Sequence, residues 1–194
     1  MTKHFAPFVC LFASAIASGA DIAVEGGAAS FVVSTSVPAI SVKGKTTAMH
    51  AHARVQQNAD GLQLEQIEAS IPVKSILTGM SIRDEHMRRY IFTTADGKTP
   101  DLRFEAAAAA CSTSICQVTG TLAIRGVGRP FSIPLKLRGD GATFHVAGDS
   151  TVRLSDYGIE QPSQFGVKTS NDIQLHLEFT AKEAPAAIAS GGRK

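Results

Sequence analysis

The chain has 194 residues, which suits one domain with short extensions. Lys and Arg number 19 against 17 Asp and Glu, a net charge of +2, so composition offers no basic field for nucleic acid or for an anionic membrane surface. Aromatic residues make up only 6 % and Trp is absent, which also argues against a surface that stacks on bases.

The first twenty residues are typical of a secretory signal. Lys3 and His4 precede an apolar run over residues 5–17, and small residues follow up to Ala20. The run is too short to span a bilayer. We expect cleavage after Ala20, with Ala17 as the alternative, and export to the periplasm of a protein that does not span the membrane.

Strict alternation of apolar and polar residues dominates the rest of the chain, as in antiparallel strands that cover a core with one face. It is clearest over residues 131–138, 144–154 and 173–179. Further strands are expected over residues 29–34, 39–45, 47–56, 62–73, 102–110 and 117–125. About eight to ten short strands predict an all-β sandwich or barrel, and pairing of the last strand with the first would close a barrel.

Residues 75–92 break this alternation. Ile76, Met80 and Met87 recur at near-helical spacing, which predicts a short helical insertion that caps one end of the barrel. Asp84 and His86 are expected to pair on the surface with neighbouring arginines. Residues 183–194 are rich in Ala, Pro and Gly, and we expect a disordered tail.

Two cysteines remain after signal cleavage, and an even number in an exported protein suggests a disulfide. Cys111 and Cys116 flank four residues between two predicted strands, so they are expected to face each other across a hairpin, within reach of a disulfide. A redox or metal pair is the alternative, although the spacing is not Cys-x-x-Cys and no His is adjacent.

Catalytic and metal-binding patterns are weak. His50 and His52 share one face of a predicted strand, which supplies half of a copper or zinc site, but spacing places no third ligand with them. Two solvent-facing histidines are the simpler interpretation, and we predict no metal. The sequence contains no Gly-x-Ser-x-Gly, His-Glu-x-x-His or phosphate-binding loop, so nothing argues for an enzyme.

Four stretches, in order, resemble the YceI-like family of periplasmic, lipocalin-like barrels that bind polyisoprenoids. Residues 120–131 (GTLAIRGVGRPF) are similar to its strand-turn-strand G-x-L-T-I-R-G-V-T-R-P-V. Residues 71–75 (IPVKS) with 83–88 (RDEHMR), 99–105 (TPDLRFE) and 155–159 (SDYGI) resemble three further motifs. The similarity extends from about residue 30 to 181.

The resemblance implies a single lipocalin-like antiparallel barrel of about eight strands that carries a polyisoprenoid or quinone-like lipid, with no covalent cofactor. Small residues on apolar faces, expected at Ala106, Ala108, Ala110, Gly120 and Gly148, would leave room inside. Arg83, Arg88 and Arg89 are candidates for the lipid head group or are ordinary solvated charges. The residues expected to line the lipid are Phe104, Leu122, Ile124, Phe131, Ile133, Leu135, Leu137, Phe144, Val146, Val152, Ile173, Leu175, Leu177 and Phe179.

Two other functions stay open. A packed barrel that docks a periplasmic or membrane partner without lipid is the main alternative, and a metal protein built on His50 and His52 is a weaker one. A homodimer is possible, although no residue argues for it.

Overall fold

The computed structural model describes residues 19–184 apart from 59, 60, 113 and 165, and gives only the backbone of residues 57 and 58. Most of the predicted signal and residues 185–194 of the predicted tail therefore lie outside the described residues. Within the described part, no helix has the length and apolar character needed to cross a bilayer.

The fold is a closed, eight-stranded antiparallel barrel, as the alternation and the resemblance predicted. Around the barrel the strands run β1-β3-β4-β5-β6-β7-β8-β11, and β11 pairs again with β1. The strands of the wall are β1 (Ala20–Ser34), β3 (His50–Asn58), β4 (Gly61–Ile71), β5 (Leu102–Ser112), β6 (Ile115–Ile124), β7 (Val127–Asp140), β8 (Thr143–Arg153) and β11 (Asp172–Glu183). The pairing of β11 with β1 joins the two edges that an open sheet would expose to pairing with other chains.

One long strand of the wall is interrupted. β2 (Ser41–Thr46) pairs with the second half of β1, and β3 pairs with its first four residues. Both run antiparallel to β1, so together they act as a single strand broken at residues 47–49. Two further short strands, β9 (Ser163–Gln164) and β10 (Val167–Lys168), form a hairpin outside the wall.

The two ends of the barrel differ. In the described residues one end, here called the closed end, carries hairpins such as those between β5 and β6 and between β7 and β8. The other, here called the mouth end, is formed by the turn over residues 35–40, the insertion between β4 and β5, and the loop over residues 154–171. The turn is tied to the loop, because Ser36 N–H donates to the Lys168 carbonyl at 2.7 Å.

The insertion, here called the cap, spans residues 72–92. It consists of a 3-10 turn (Val73–Ser75), helix α1 (Ser81–Met87) and a π-helical segment (Arg88–Phe92). The cap is held to β2 by backbone bonds in both directions between Lys45 and Leu77 and by the hydroxyls of Thr46 and Ser75, 2.6 Å apart. A helical cap over one end was predicted, but helix begins only at Ser81.

Two details of the strands differ from the predictions. β1 begins at Ala20, nine residues earlier than expected, and Ile22 within it is buried. The register of β5 shifts between Glu105 and Cys111, so Ala106 and Ala109 are buried while Ala108 and Ala110 are exposed. An extra residue in one strand reverses the side-chain alternation beyond it, which is why the expectation for Ala108 and Ala110 was wrong.

The C-terminal boundary also lies later than the sequence suggested. β11 continues through Glu183, and Ala184 N–H donates to the Asp21 carbonyl at 2.7 Å. These two residues, the first of the segment assigned to the tail by composition, therefore belong to the barrel.

The predicted disulfide is present between Cys111 and Cys116. The two residues are direct cross-strand partners with Cα atoms 4.0 Å apart, and the hairpin they close is shorter than expected because β5 extends to Ser112 and β6 begins at Ile115. Cys116 is fully buried and Cys111 nearly so, so the bridge lies inside the closed end.

Candidate functional site

The interior of the barrel contains two apolar clusters. The cluster at the closed end includes the disulfide, Val118 and Ile133 among its buried members. The cluster at the mouth end includes Met87 of the cap and Tyr157. Phe131 packs against both. All fourteen residues predicted to line the interior belong to one or both clusters, as buried members or as side chains packed against them.

These side chains differ in burial. Val118 and Cys116 on β6 have no exposed surface. On β11 the inward-facing Ile173, Leu175 and Leu177 are only partly buried, as is Phe179, and they alternate with exposed polar residues on the outside. Inward-facing apolar groups in a tightly filled barrel are buried along the whole strand. β11 therefore carries the inward-facing apolar side chains that keep accessible surface.

Several cross-strand partners of β11 are small. Leu177 has Ala29 on β1 and Gly148 on β8 as its partners, and the partner of Phe179 on β1 is Gly27. The volume beside Gly148 is used by a neighbouring strand, because Leu135 Cδ2 lies 2.7 Å from the position of its Cβ. Leu175 pairs with the large Phe31 on β1.

Glycines also let large side chains lie against the barrel wall. The ring of Phe31 occupies the position where a Cβ of Gly44 would stand, so a residue with a side chain could not replace Gly44 without moving it. Phe104 Cζ lies 2.9 Å from the corresponding position at Gly120. Phe31 and Phe104 are both only partly buried.

The cap is organised by one buried carboxylate. Asp84, only 5 % exposed, accepts hydrogen bonds from Thr78 N–H at 2.7 Å and from the Thr78 hydroxyl at 2.5 Å. Arg83 donates from Nε to the same hydroxyl and from a terminal nitrogen to the Thr78 carbonyl, at 2.9 and 2.8 Å. The expectation that Asp84 pairs with arginines on the surface was wrong, because it is folded inward to hold the loop before α1.

The three residues predicted to cap the barrel differ in burial. Ile76 and Met87 are buried in the cluster at the mouth end, whereas Met80 is 57 % exposed. Helical spacing failed at Met80 because it precedes α1 in an extended conformation, with φ −136° and ψ 113°. Met80 therefore lies on the outer surface of the cap.

The three predicted head-group arginines also differ from one another. Arg83 donates hydrogen bonds to Thr78. Arg89 is exposed, with its guanidinium 5.6 Å from the centre of the Tyr90 ring. Arg88 lies in the π-helical segment, and its Nε is buried without a hydrogen-bond partner among the described residues. An unsatisfied buried donor is costly, and π-helical segments are frequent at functional sites. Of the three arginines, only Arg88 has such a donor among the described residues.

His50 and His52 lie on the outer face of β3, beside an open recess of about 410 Å³ in the barrel wall. His52 Nε2 is 3.8 Å from a Glu68 carboxylate oxygen, and both side chains are well exposed. In the described part of the chain, no three His, Cys, Asp or Glu side chains are grouped to hold a metal ion.

Several interior residues were missed from the sequence. Phe31, Val118 and Tyr157 belong to the two clusters but were not predicted there. The alternation of Cys116, Val118 and Leu122 on β6 was a sufficient signal for Val118. The inward position of Tyr157 depends on the 3-10 turn Leu154–Tyr157, for which alternation gives no signal.

Comparison with known proteins agrees with this architecture. The family model described as the YceI-like domain matches residues 21–181. The chain is a member of the YceI-like family. Among its YceI-like relatives, a UPF0312 protein of Pseudomonas paraeruginosa is 31 % identical over 104 residues, which are 50 % of this chain and 53 % of that protein. The matched region thus spans about half the length of that relative.

Solved structures confirm the YceI-like fold. BcnA of Burkholderia cenocepacia superimposes with a TM-score of 0.63 at 17 % identity, covering 79 % of this chain and 95 % of that one. A domain of Saccharophagus degradans described as polyisoprenoid-binding gives a TM-score of 0.64 at 14 % identity, covering 84 % of this chain and 98 % of that one. The Campylobacter jejuni YceI protein gives a TM-score of 0.64 at 21 % identity, covering 77 % of this chain and 89 % of that one.

Proposed function

We propose that the barrel binds one long apolar lipid of the isoprenoid class in the periplasm and catalyses no reaction. The observation that carries the proposal is the partly exposed apolar face of β11 inside a closed barrel. A folded protein rarely leaves several large apolar side chains accessible on an inner surface unless they meet a ligand.

The relatives support the choice of an isoprenoid over other apolar chains. The Saccharophagus degradans domain is described as polyisoprenoid-binding. Export to the periplasm is supported by the signal-like segment over residues 1–20.

Burial of the chain supplies enough free energy without a charged anchor. Each buried CH₂ contributes about 0.8 kcal/mol, so a twenty-carbon chain gains roughly 16 kcal/mol. Association and ordering cost about 4–15 kcal/mol. Apolar contact alone therefore suffices for binding, and polar groups at the mouth end select the head group.

Arg88 is the proposed head-group residue. Its buried Nε has no partner among the described residues, and it belongs to the cap over the mouth end. A phosphate, hydroxyl or quinone oxygen would accept this N–H, and an anionic oxygen would gain most because charge-assisted hydrogen bonds are the stronger ones. Arg83 holds Thr78 and Arg89 faces outward, so neither takes this role in the proposal.

The proposal is tested by extraction of the protein purified from the periplasm of a bacterial host, followed by mass spectrometry of the organic phase. Ala29→Leu enlarges an inward-facing residue beside Leu177, and Ala28→Leu makes the same change on the adjacent, outward-facing position opposite Glu178. We expect a chain-like apolar molecule with the unmodified protein and with A28L, and at least a tenfold lower yield with A29L.

Two results would contradict the proposal. If no apolar molecule is extracted from any of the three proteins, and none takes up an added prenyl lipid, the barrel is a packed interaction module. Equal yields from A29L and A28L would also contradict a lipid bound along β11.

A further inference from the structure

Exposed apolar side chains are concentrated at the mouth end. Of the eight large exposed apolar residues in the described part of the chain, six lie on the turn over residues 35–40 or on the cap. The four on the cap are Leu77, Met80, Ile82 and Tyr90, with exposed fractions of 53–66 %. At the closed end the exposed set contains only Ile115.

β2 and the cap are also basic. Segments 41–46 and 73–92 hold six basic and two acidic side chains, a net charge of +4, although the whole chain carries only +2. Lys43, Lys45, Lys74 and Arg89 are exposed, whereas Glu85 is the one exposed carboxylate of these two segments. None of the four exposed cations makes an ion pair with a described residue.

Apolar and basic groups are interleaved on this surface. Lys45 and Leu77 are partners in an antiparallel bridge, so their side chains leave the backbone on the same side, and both are exposed. Farther along the cap, Arg89 lies against Tyr90, and the Tyr90 ring meets His86 edge-on at 5.7 Å. A Tyr with an apolar ring and a polar tip suits the boundary between water and hydrocarbon.

We infer that the mouth end docks on the surface of an anionic lipid bilayer, with the exposed apolar side chains of the cap in the interfacial layer and Lys43, Lys45, Lys74 and Arg89 against lipid phosphates. Apolar insertion and attraction between basic side chains and anionic lipids act together in peripheral membrane binding. The inference goes beyond lipid binding inside the barrel and does not depend on it.

This inference departs from the expectation from composition. The nearly balanced charge of the chain argued against contact with an anionic membrane. However, β2 and the cap together carry a net charge of +4, so the rest of the sequence carries a net charge of −2. Net charge is an average over the surface, and a bilayer meets only one face of the molecule.

The test is co-sedimentation with vesicles of phosphatidylcholine, with and without phosphatidylglycerol. The variant K45Q/L77S removes one exposed apolar and basic pair at the mouth end. The variant I115S/K136Q removes a matched pair at the closed end, because Ile115 and Lys136 are also antiparallel partners with exposed side chains. Circular dichroism of both variants checks that the barrel is folded.

We expect the unmodified protein and I115S/K136Q to bind vesicles that contain phosphatidylglycerol, more strongly at low salt, and K45Q/L77S to bind at least tenfold more weakly. Absence of binding, or equal loss in both variants, would overturn the inference. So would a dimer that K45Q/L77S dissociates while vesicle binding is unchanged, since a second copy would then cover this surface. Failure to extract a lipid from the barrel would leave these results standing.

Discussion

The aromatic ring of Phe31 on β1 lies over Gly44 of β2, in the volume that a side chain at residue 44 would occupy. A Cβ there would lie 2.6 Å from Cζ of Phe31 and closer still to Cε1. The glycine therefore lets the ring lie against the wall, and we propose that this leaves room for a lipid along the neighbouring β11.

Replacement of Gly44 by Ala is expected to destabilise the protein by about 1–3 kcal/mol, because the ring is forced off its position as in other overpacked cores. The displaced ring turns into the interior, so lipid uptake falls as well. Urea unfolding and uptake of a fluorescent prenyl lipid measure the two effects. Gly139→Ala is the control, since its Cβ would meet Phe144 at an ordinary 3.6 Å. Equal stability of the two variants would contradict this explanation.

Arg88→Met is expected to weaken binding of a prenyl phosphate by about tenfold or more, since a charge-assisted hydrogen bond contributes roughly 1.5–3 kcal/mol. Binding of the corresponding prenyl hydrocarbon changes little, because it offers no acceptor. Titration calorimetry with both ligands measures the difference. Arg138→Met, on the exposed end of β7, is the control for loss of one positive charge. A parallel loss for phosphate and hydrocarbon would show that Arg88 supports the cap without contacting the head group.

Replacement of both Cys111 and Cys116 by Ser is expected to lower the free energy of unfolding by about 2 kcal/mol, from the chain entropy of a loop of about six residues. The midpoint of urea unfolding shifts, while far-UV circular dichroism remains that of a barrel. Lipid extracted per mole of protein should be unchanged, because the bridge lies at the closed end. A change in lipid content without a change in stability would show that the pair shapes the lipid site instead of stapling the hairpin.

His176 and Asp149 provide a prediction about pH. The hydrogen bond from His176 Nδ1 to the Asp149 carboxylate, 2.8 Å long, raises the pKa of the imidazole above its usual 6.5. This pair therefore stabilises the barrel below pH 6.5, and its contribution is lost as the pH rises through the raised value. The effect on stability is small because both side chains are well exposed.

Asp149→Asn should bring the pKa of His176 down, as followed by NMR of the imidazole protons. Glu178→Gln should lower it less, since Glu178 lies 3.8 Å from the other ring nitrogen. A larger effect of E178Q than of D149N would show that the hydrogen bond to Asp149 is not the main cause.

Alternation predicted most of the wall because burial on one face imposes it directly. Over β7, β8 and β11 it identified inward-facing residues such as Val146 and Leu177, all of which lie in the interior clusters. It could not predict the shift in β5, since the four consecutive alanines after Ala106 give no contrast between the faces. The first half of β1 was missed because small and polar residues there hide the pattern.

The candidate site was less predictable, because its decisive features arise between distant segments. Sequence patterns named three arginines but could not distinguish Arg88, whose isolation depends on how the cap folds. The two groups that donate hydrogen bonds to buried Asp84 belong to Thr78, which lies six residues earlier in an irregular loop. Likewise, the partial burial of the apolar face of β11 depends on residues brought together from β1 and β8.

The pairing of β1 with β11 brings residues 20 and 184 to the same end of the molecule, joined by the bond from Ala184 to Asp21. That end carries the disulfide, whereas the cap covers the opposite one. A linker or affinity tag joined directly after residue 184 would therefore start at the end opposite the cap. Immobilised by such a tag, every molecule would present its cap away from the support, in a single orientation suited to measuring transfer from applied membranes.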